Sequence, residues 1–98
     1  MKTLLLPLLL VAGIATAQAD QALATKNNCM ACHAVDKKLV GPAYRDVAKK
    51  YAGTSADTLA ASIRKGGAGR WGQIPMPAQA QLSEADARKL AAWILEIK

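Results

Sequence analysis

A chain of 98 residues has room for one small domain and no more. Its 13 Lys and Arg outnumber 7 Asp and Glu, a formal net charge of +6, which suits an acidic partner surface, an anionic membrane or simply a solvated basic face. Nucleic acid is not indicated, because the lysines are scattered (Lys26, Lys37, Lys38, Lys49, Lys50) and no nucleic-acid-binding motif is present.

In chain order, residues 1–19 read as an export signal. Lys2 gives the positive start, residues 4–14 form an apolar run, and Ala17-Gln18-Ala19 places small residues where a signal peptidase reads. The apolar run is well short of the about 20 residues a membrane-spanning helix needs. The expected mature chain begins at Asp20, with cleavage after Ala17 as the alternative. Removal of this segment takes one basic residue, Lys2, and no acid, leaving 79 residues of net charge +5. A domain this small rarely stabilises itself by burial alone. Residues 20–98 contain no Phe, two Trp, two Tyr and much Ala. Such a core is short of volume and calls for a large apolar group from elsewhere.

Four helical stretches are predicted after the signal, and no segment alternates like a strand. Residues 21–28 form a short lead-in with Leu23 and Ala24 facing inward. Gly41-Pro42 breaks the chain, and Pro42 suits the first position of a helix through Tyr44, Val47, Ala48 and Tyr51, ended by Gly53. Thr54 or Ser55 can cap a helix over 56–65, with Leu59, Ala60 and Ile63 on one face. Residues 66–81 hold four of the seven glycines and two prolines, so they are predicted as a long loop. Ser83 opens the last helix, whose Ala87, Leu90, Ala91, Ile94 and Leu95 keep helical spacing almost to Lys98. The expected fold is all-α, one domain over residues 20–98.

Cys29-Met30-Ala31-Cys32-His33 is the C-x-x-C-H signature of covalent haem attachment. Two thiols three residues apart on a turn of helix can each add to one vinyl group of the same porphyrin, and the adjacent His33 then projects toward the iron. These are the only two cysteines and the only histidine in the chain. A thioredoxin-like dithiol would need a βαβ setting that is not visible. A structural zinc site would be one ligand short, and a disulfide across two residues would constrain almost nothing. A haem would also supply the missing apolar volume.

The second axial ligand follows by elimination. With one histidine and both cysteines used in thioether bonds, methionine remains, and residues 20–98 offer only Met30 and Met76. Met30 lies inside the attachment motif on the side of His33. Met76 stands in Gln73-Ile74-Pro75-Met76-Pro77, where two prolines stiffen the backbone around its sulfur. The metal ligands expected are therefore His33 and Met76. Thioether ligation raises the reduction potential, and two filled axial positions favour electron transfer over catalysis at the iron, so no catalytic residue is expected. The alternatives are a ligand-binding haem sensor or weak peroxidase with a labile Met76, and a redox dithiol built on Cys29 and Cys32.

Together with the motif, Val40-Gly41-Pro42-Ala43-Tyr44, Trp71-Gly72-Gln73-Ile74-Pro75-Met76-Pro77 and Trp93-Ile94-Leu95 resemble the small bacterial c-551/c-552 cytochromes of class I, over essentially all of residues 20–98. The resemblance implies about four helices wrapped around one haem c per chain. It also implies a monomeric, periplasmic carrier of single electrons between respiratory partners, from a quinol-oxidising complex to a nitrite reductase or terminal oxidase. By the same resemblance the Pro42 carbonyl accepts a hydrogen bond from His33, Trp71 donates its indole N–H to a haem propionate, Gln79 modulates the Met76 sulfur, and Trp93 packs the last helix. Redox partners would dock at the exposed haem edge, near which Lys26, Lys37 and Lys38 lie in sequence. There are two departures from the family. Ser62 stands where relatives commonly carry a propionate-pairing arginine, a role left open between Arg64 and Arg70, and Ala78 replaces a frequent second proline after Met-Pro.

Overall fold

The computed structural model describes residues 20–98, and the expected export signal, residues 1–19, lies outside them. Residues 20–26 are helical (α1). A single 3-10 turn, Cys29–Ala31, follows, and then α2 (Tyr44–Lys50), α3 (Ala56–Lys65) and α4 (Glu84–Leu95). Among the described residues no strand forms; two isolated bridges join His33 to Lys38 and Gly67 to Met76. No helix there is long and apolar enough to cross a membrane.

The helix boundaries differ from the sequence reading for local reasons. The lead-in stops at residue 26, two short of the predicted end, because Asn28 takes the left-handed conformation (φ 63°) that asparagine tolerates and turns the chain into Cys29. Pro42 is not the first residue of α2. The N-cap is Ala43, with extended backbone, and the first free N–H groups are satisfied from another segment: Tyr44 donates to the Ala34 carbonyl at 2.8 Å and Arg45 to Val35 at 2.9 Å. The Pro42 carbonyl is thereby left for another partner. Ser55, of the two candidates, caps α3 by accepting from the Thr58 N–H at 3.1 Å. Ser83 caps α4 through Asp86 N–H at 3.0 Å, and Glu84 and Asp86 place negative charge at the positive end of its dipole. At the other end, Glu96 and Ile97 make three-residue bonds back to Trp93 and Ile94, so α4 ends at Leu95, the last residue whose spacing predicts helix.

α4 packs on α3 and on α2. Ala87 and Ala91 are fully buried, so α4 approaches its neighbours closely, and Leu82 and Leu90 fill the space between. Each of those leucines contributes roughly 1.5–3 kcal/mol by burial. Ala24, Val47, Ala48, Leu59, Ala60 and Ile94 are buried as their spacing predicts, while Ile63 and Leu95 are half-buried at the edge of the core.

Candidate functional site

The helices surround a cavity of about 590 Å³, inside the roughly 300–1,000 Å³ range of cofactor pockets. Every site residue expected from the sequence lines it: Cys29, Cys32, His33, Pro42, Trp71, Met76 and Gln79. Its walls come from the 3-10 turn, α2, α3, α4 and the 66–81 loop, with Val47, Leu59, Leu90 and Ile94 giving it an apolar lining.

His33 is held from three directions. Its Nδ1 donates to the Pro42 carbonyl at 2.8 Å. A carbonyl only accepts, so Nδ1 carries the proton in the neutral ring and Nε2 keeps its lone pair, the state a metal ligand requires. The ring stacks on Tyr44, centroids 4.8 Å apart and planes 15° from parallel. On another side Gly41 presents bare backbone, where a Cβ would lie 2.5 Å from His33 Cε1 and 2.9 Å from Nδ1. Gly41→Ala is therefore expected to push the ring off its Pro42 bond at a cost of about 1–3 kcal/mol, read as a lower Tm and a changed iron-ligand spectrum in the loaded protein.

Tyr44 and Cys29 lie against each other, and Tyr44 meets Trp93 edge-on at 5.5 Å. Burial, then the neighbouring Cys29, raises the Tyr44 phenol far above its ordinary range, so its hydroxyl stays protonated and available as a donor. Burial also raises the Cys29 thiol, against the opposing hydrogen bond from Tyr44. Cys29 and Cys32 are not bridged to each other.

Met76 is positioned by backbone. Its N–H donates to the Gly67 carbonyl at 2.8 Å and its carbonyl accepts from Gly67 N–H at 2.9 Å. Gly66, at φ 69°, crosses so close to this segment that a Cβ would collide with the Met76 carbonyl. Met30 packs against the core and does not line the cavity, so of the two methionines among the described residues only Met76 reaches it. Gln79 also lines the cavity, but its amide donates to the Pro77 carbonyl at 2.9 Å and accepts from Gln81 at 2.8 Å, which braces the loop. Trp71 is 40% exposed at the rim, with the Lys50 ammonium 4.3 Å from its ring centre. Sequence reading missed the stacking of Tyr44 and the bridge from Gly67. The motif Val-Gly-Pro-Ala-Tyr could have suggested the first, because it puts Tyr44 two residues after the carbonyl that holds His33.

The donors suit a haem: two thiols at one edge, an imidazole with Nε2 free, a thioether and an apolar cavity of matching size. Comparison with known proteins decides the family. The family model described as cytochrome c matches residues 17–98.

The chain belongs to the cytochrome c family.

Among its relatives, the cytochrome c-552 of Nitrosomonas europaea is 56% identical over 92 residues, which are 92% of this chain and 87% of that protein. The cytochrome c-552 of Hydrogenobacter thermophilus is 52% identical over 99 residues, covering 99% and 98%. The crystal structure of wild-type Nitrosomonas europaea cytochrome c552 superposes with a TM-score of 0.77 at 54% identity, covering 80% of this chain and 99% of that one. The fold is thus the small all-helical cytochrome c fold. Like other cytochromes c, the protein is an electron carrier and not an enzyme, with one haem c bound covalently through Cys29 and Cys32.

Proposed function

We propose that this cytochrome c shuttles single electrons in a bacterial periplasm between respiratory redox proteins, with His33 and Met76 as the two axial ligands of its haem. When bound, the haem supplies a one-electron couple between ferrous and ferric iron. The observation that carries the reading is the convergence of Cys29, Cys32, His33 and Met76 on one apolar cavity. His33 is kept in the ligating tautomer by Pro42, and the Gly67 bridge and the flanking prolines hold the Met76 backbone beside the cavity. His33 and Met76 would hold the iron and leave no ligand position for a substrate, and the apolar lining from Val47, Leu59, Leu90 and Ile94 would limit water there. Gln79, which lines the same cavity, acts on Met76 through the loop: its amide is engaged by Pro77 and Gln81 and braces the backbone that carries the thioether, in place of the direct contact with sulfur that the resemblance implies. Residues 1–19 supply the export signal and are removed. Redox partners, such as a quinol-oxidising complex and a nitrite reductase or terminal oxidase, dock on the monomer at the exposed haem edge, with Lys26, Lys37 and Lys38 meeting acidic surface there.

The test is spectroscopic. Protein exported with its haem should keep the haem on a denaturing gel. The ferric form should show the weak sulfur-to-iron band at the red end of its spectrum, unchanged by modest cyanide. Rapid cyanide or carbon monoxide uptake would show a labile Met76 and a ligand-binding protein. Free thiols on Cys29 and Cys32 after export would sink the assignment altogether.

A further inference from the structure

The rim of the cavity carries a charged cluster that electron transfer at the iron does not require. Arg70 lines the cavity, and its guanidinium donates to the Ser62 hydroxyl of α3 at 2.8 Å. Lys50, at the end of α2, donates to the Arg70 carbonyl at 2.6 Å and lies over Trp71. Neither cation meets a carboxylate among the described residues, where the two ion pairs are Arg64 with Glu84 and Arg88 with Asp57. Ser62 orients one edge of the exposed guanidinium but is neutral, so its charge and several of its five N–H donors are left for solvent or an anion. The Trp71 indole makes no hydrogen bond within the described residues either. One cation and an indole N–H at the mouth of an apolar cavity, with the Lys50 ammonium behind them, suit an anion, and haem carries two carboxylates on its periphery.

We infer that Arg70, aimed by Ser62 and backed by Lys50, binds a haem propionate at this rim. The inference rests on the haem occupying this cavity. Arg64, the other candidate, is committed elsewhere: its Nε donates to the Leu82 carbonyl at 3.0 Å and its guanidinium pairs with Glu84 at 3.5 Å, away from the cavity lining. The task that the resemblance gives to an arginine on α3 is therefore taken over by one from the following loop. The small Ser62 makes this possible, because it leaves room for the incoming guanidinium and supplies the acceptor that fixes it. Arg70 is a positioning residue for the haem, and its positive charge favours the reduced iron.

The experiment compares haem-loaded wild type with Arg70→Gln, Arg70→Lys, Ser62→Ala and the double variant Ser62→Arg/Arg70→Gln, by resonance Raman of the propionate bending mode and by redox titration. Arg70→Gln should shift the bending band and move the one-electron equilibrium toward the oxidised form about threefold, about 28 mV at 59 mV per tenfold. Ser62→Ala should move both in the same direction by less. Arg70→Lys should keep the potential near wild type while still shifting the band, since charge is retained and the planar fork is lost. The double variant should recover both readings. An unchanged propionate band in Arg70→Gln overturns the inference, as does a Tm loss with no change in band or potential, which would mark a loop brace only. Absence of the red absorption band from wild type would count against His33 and Met76 ligation instead, and the Raman comparison would still decide Arg70.

Discussion

Replacing His33 with alanine is expected to abolish accumulation of haem-loaded protein, with loss of the haem-staining band and of helical circular dichroism together. The imidazole is 9% exposed and sits between Gly41, Tyr44 and the Pro42 carbonyl. Deleting a buried ring costs about 3–5 kcal/mol when the site cannot collapse. Here α2 holds Tyr44 on one side, and the Gly41 N–H bond to the Cys32 carbonyl at 2.7 Å holds the other. A domain of this size has about 4–12 kcal/mol of stability in total, so the truncation alone removes a large share. It also orphans the Pro42 carbonyl and deletes one of the two side chains proposed to anchor the iron. Imidazole added during refolding with haem should restore part of the helical signal, because it can refill the space and donate its N–H to the Pro42 carbonyl. Wild-type haem staining and melting in His33→Ala would show that the ring is dispensable.

The fate of His33 also shows which parts of this protein are legible in its sequence. Cys29, Cys32 and His33 are adjacent in the chain, so their spacing carries the chemistry with no knowledge of the fold. The helices were legible for a similar reason. Their caps and apolar faces are local, and Ser55, Ser83, Leu59 and Leu90 take the places their spacing indicates. Pro42 shows where local rules lose. Proline suits the first turn of a helix, yet α2 begins two residues later because the carbonyls of Ala34 and Val35, from another segment, cap its first N–H groups. The contacts that complete the site are long-range in the same way. The bridge between Gly67 and Met76 and the bond from Arg70 to Ser62 join residues whose pairing depends on how a glycine-rich loop folds back. No periodicity encodes that path. Met76 is singled out in the sequence only by exclusion, from a count of what else could bind iron, and the structure adds that it lines the cavity; the departure at Ser62 is visible in the sequence without its bond to Arg70.

Met76→Ala is expected to leave haem covalently attached and the helices intact, while the red absorption band disappears and the reduction potential falls. The loop does not depend on the methionine side chain for its path. The two backbone bonds between residue 76 and Gly67 survive the substitution, as do the bond from Gln79 N–H to the Arg64 carbonyl at 2.9 Å and the amide brace on Pro77. The deletion is thus confined to one thioether facing the cavity. Axial ligands span about 0.8 V of potential, and thioether sulfur lies toward the high end, so a fall on the order of 100 mV is expected. The opened position should then take cyanide or carbon monoxide readily, turning a sealed carrier into a ligand-binding protein by a single change. A redox titration and a cyanide titration, each set beside the melting curve, separate this outcome from general loosening of the fold. If the variant keeps the red band and the wild-type potential, Met76 is not the ligand, and the assignment of a His/Met site falls with it.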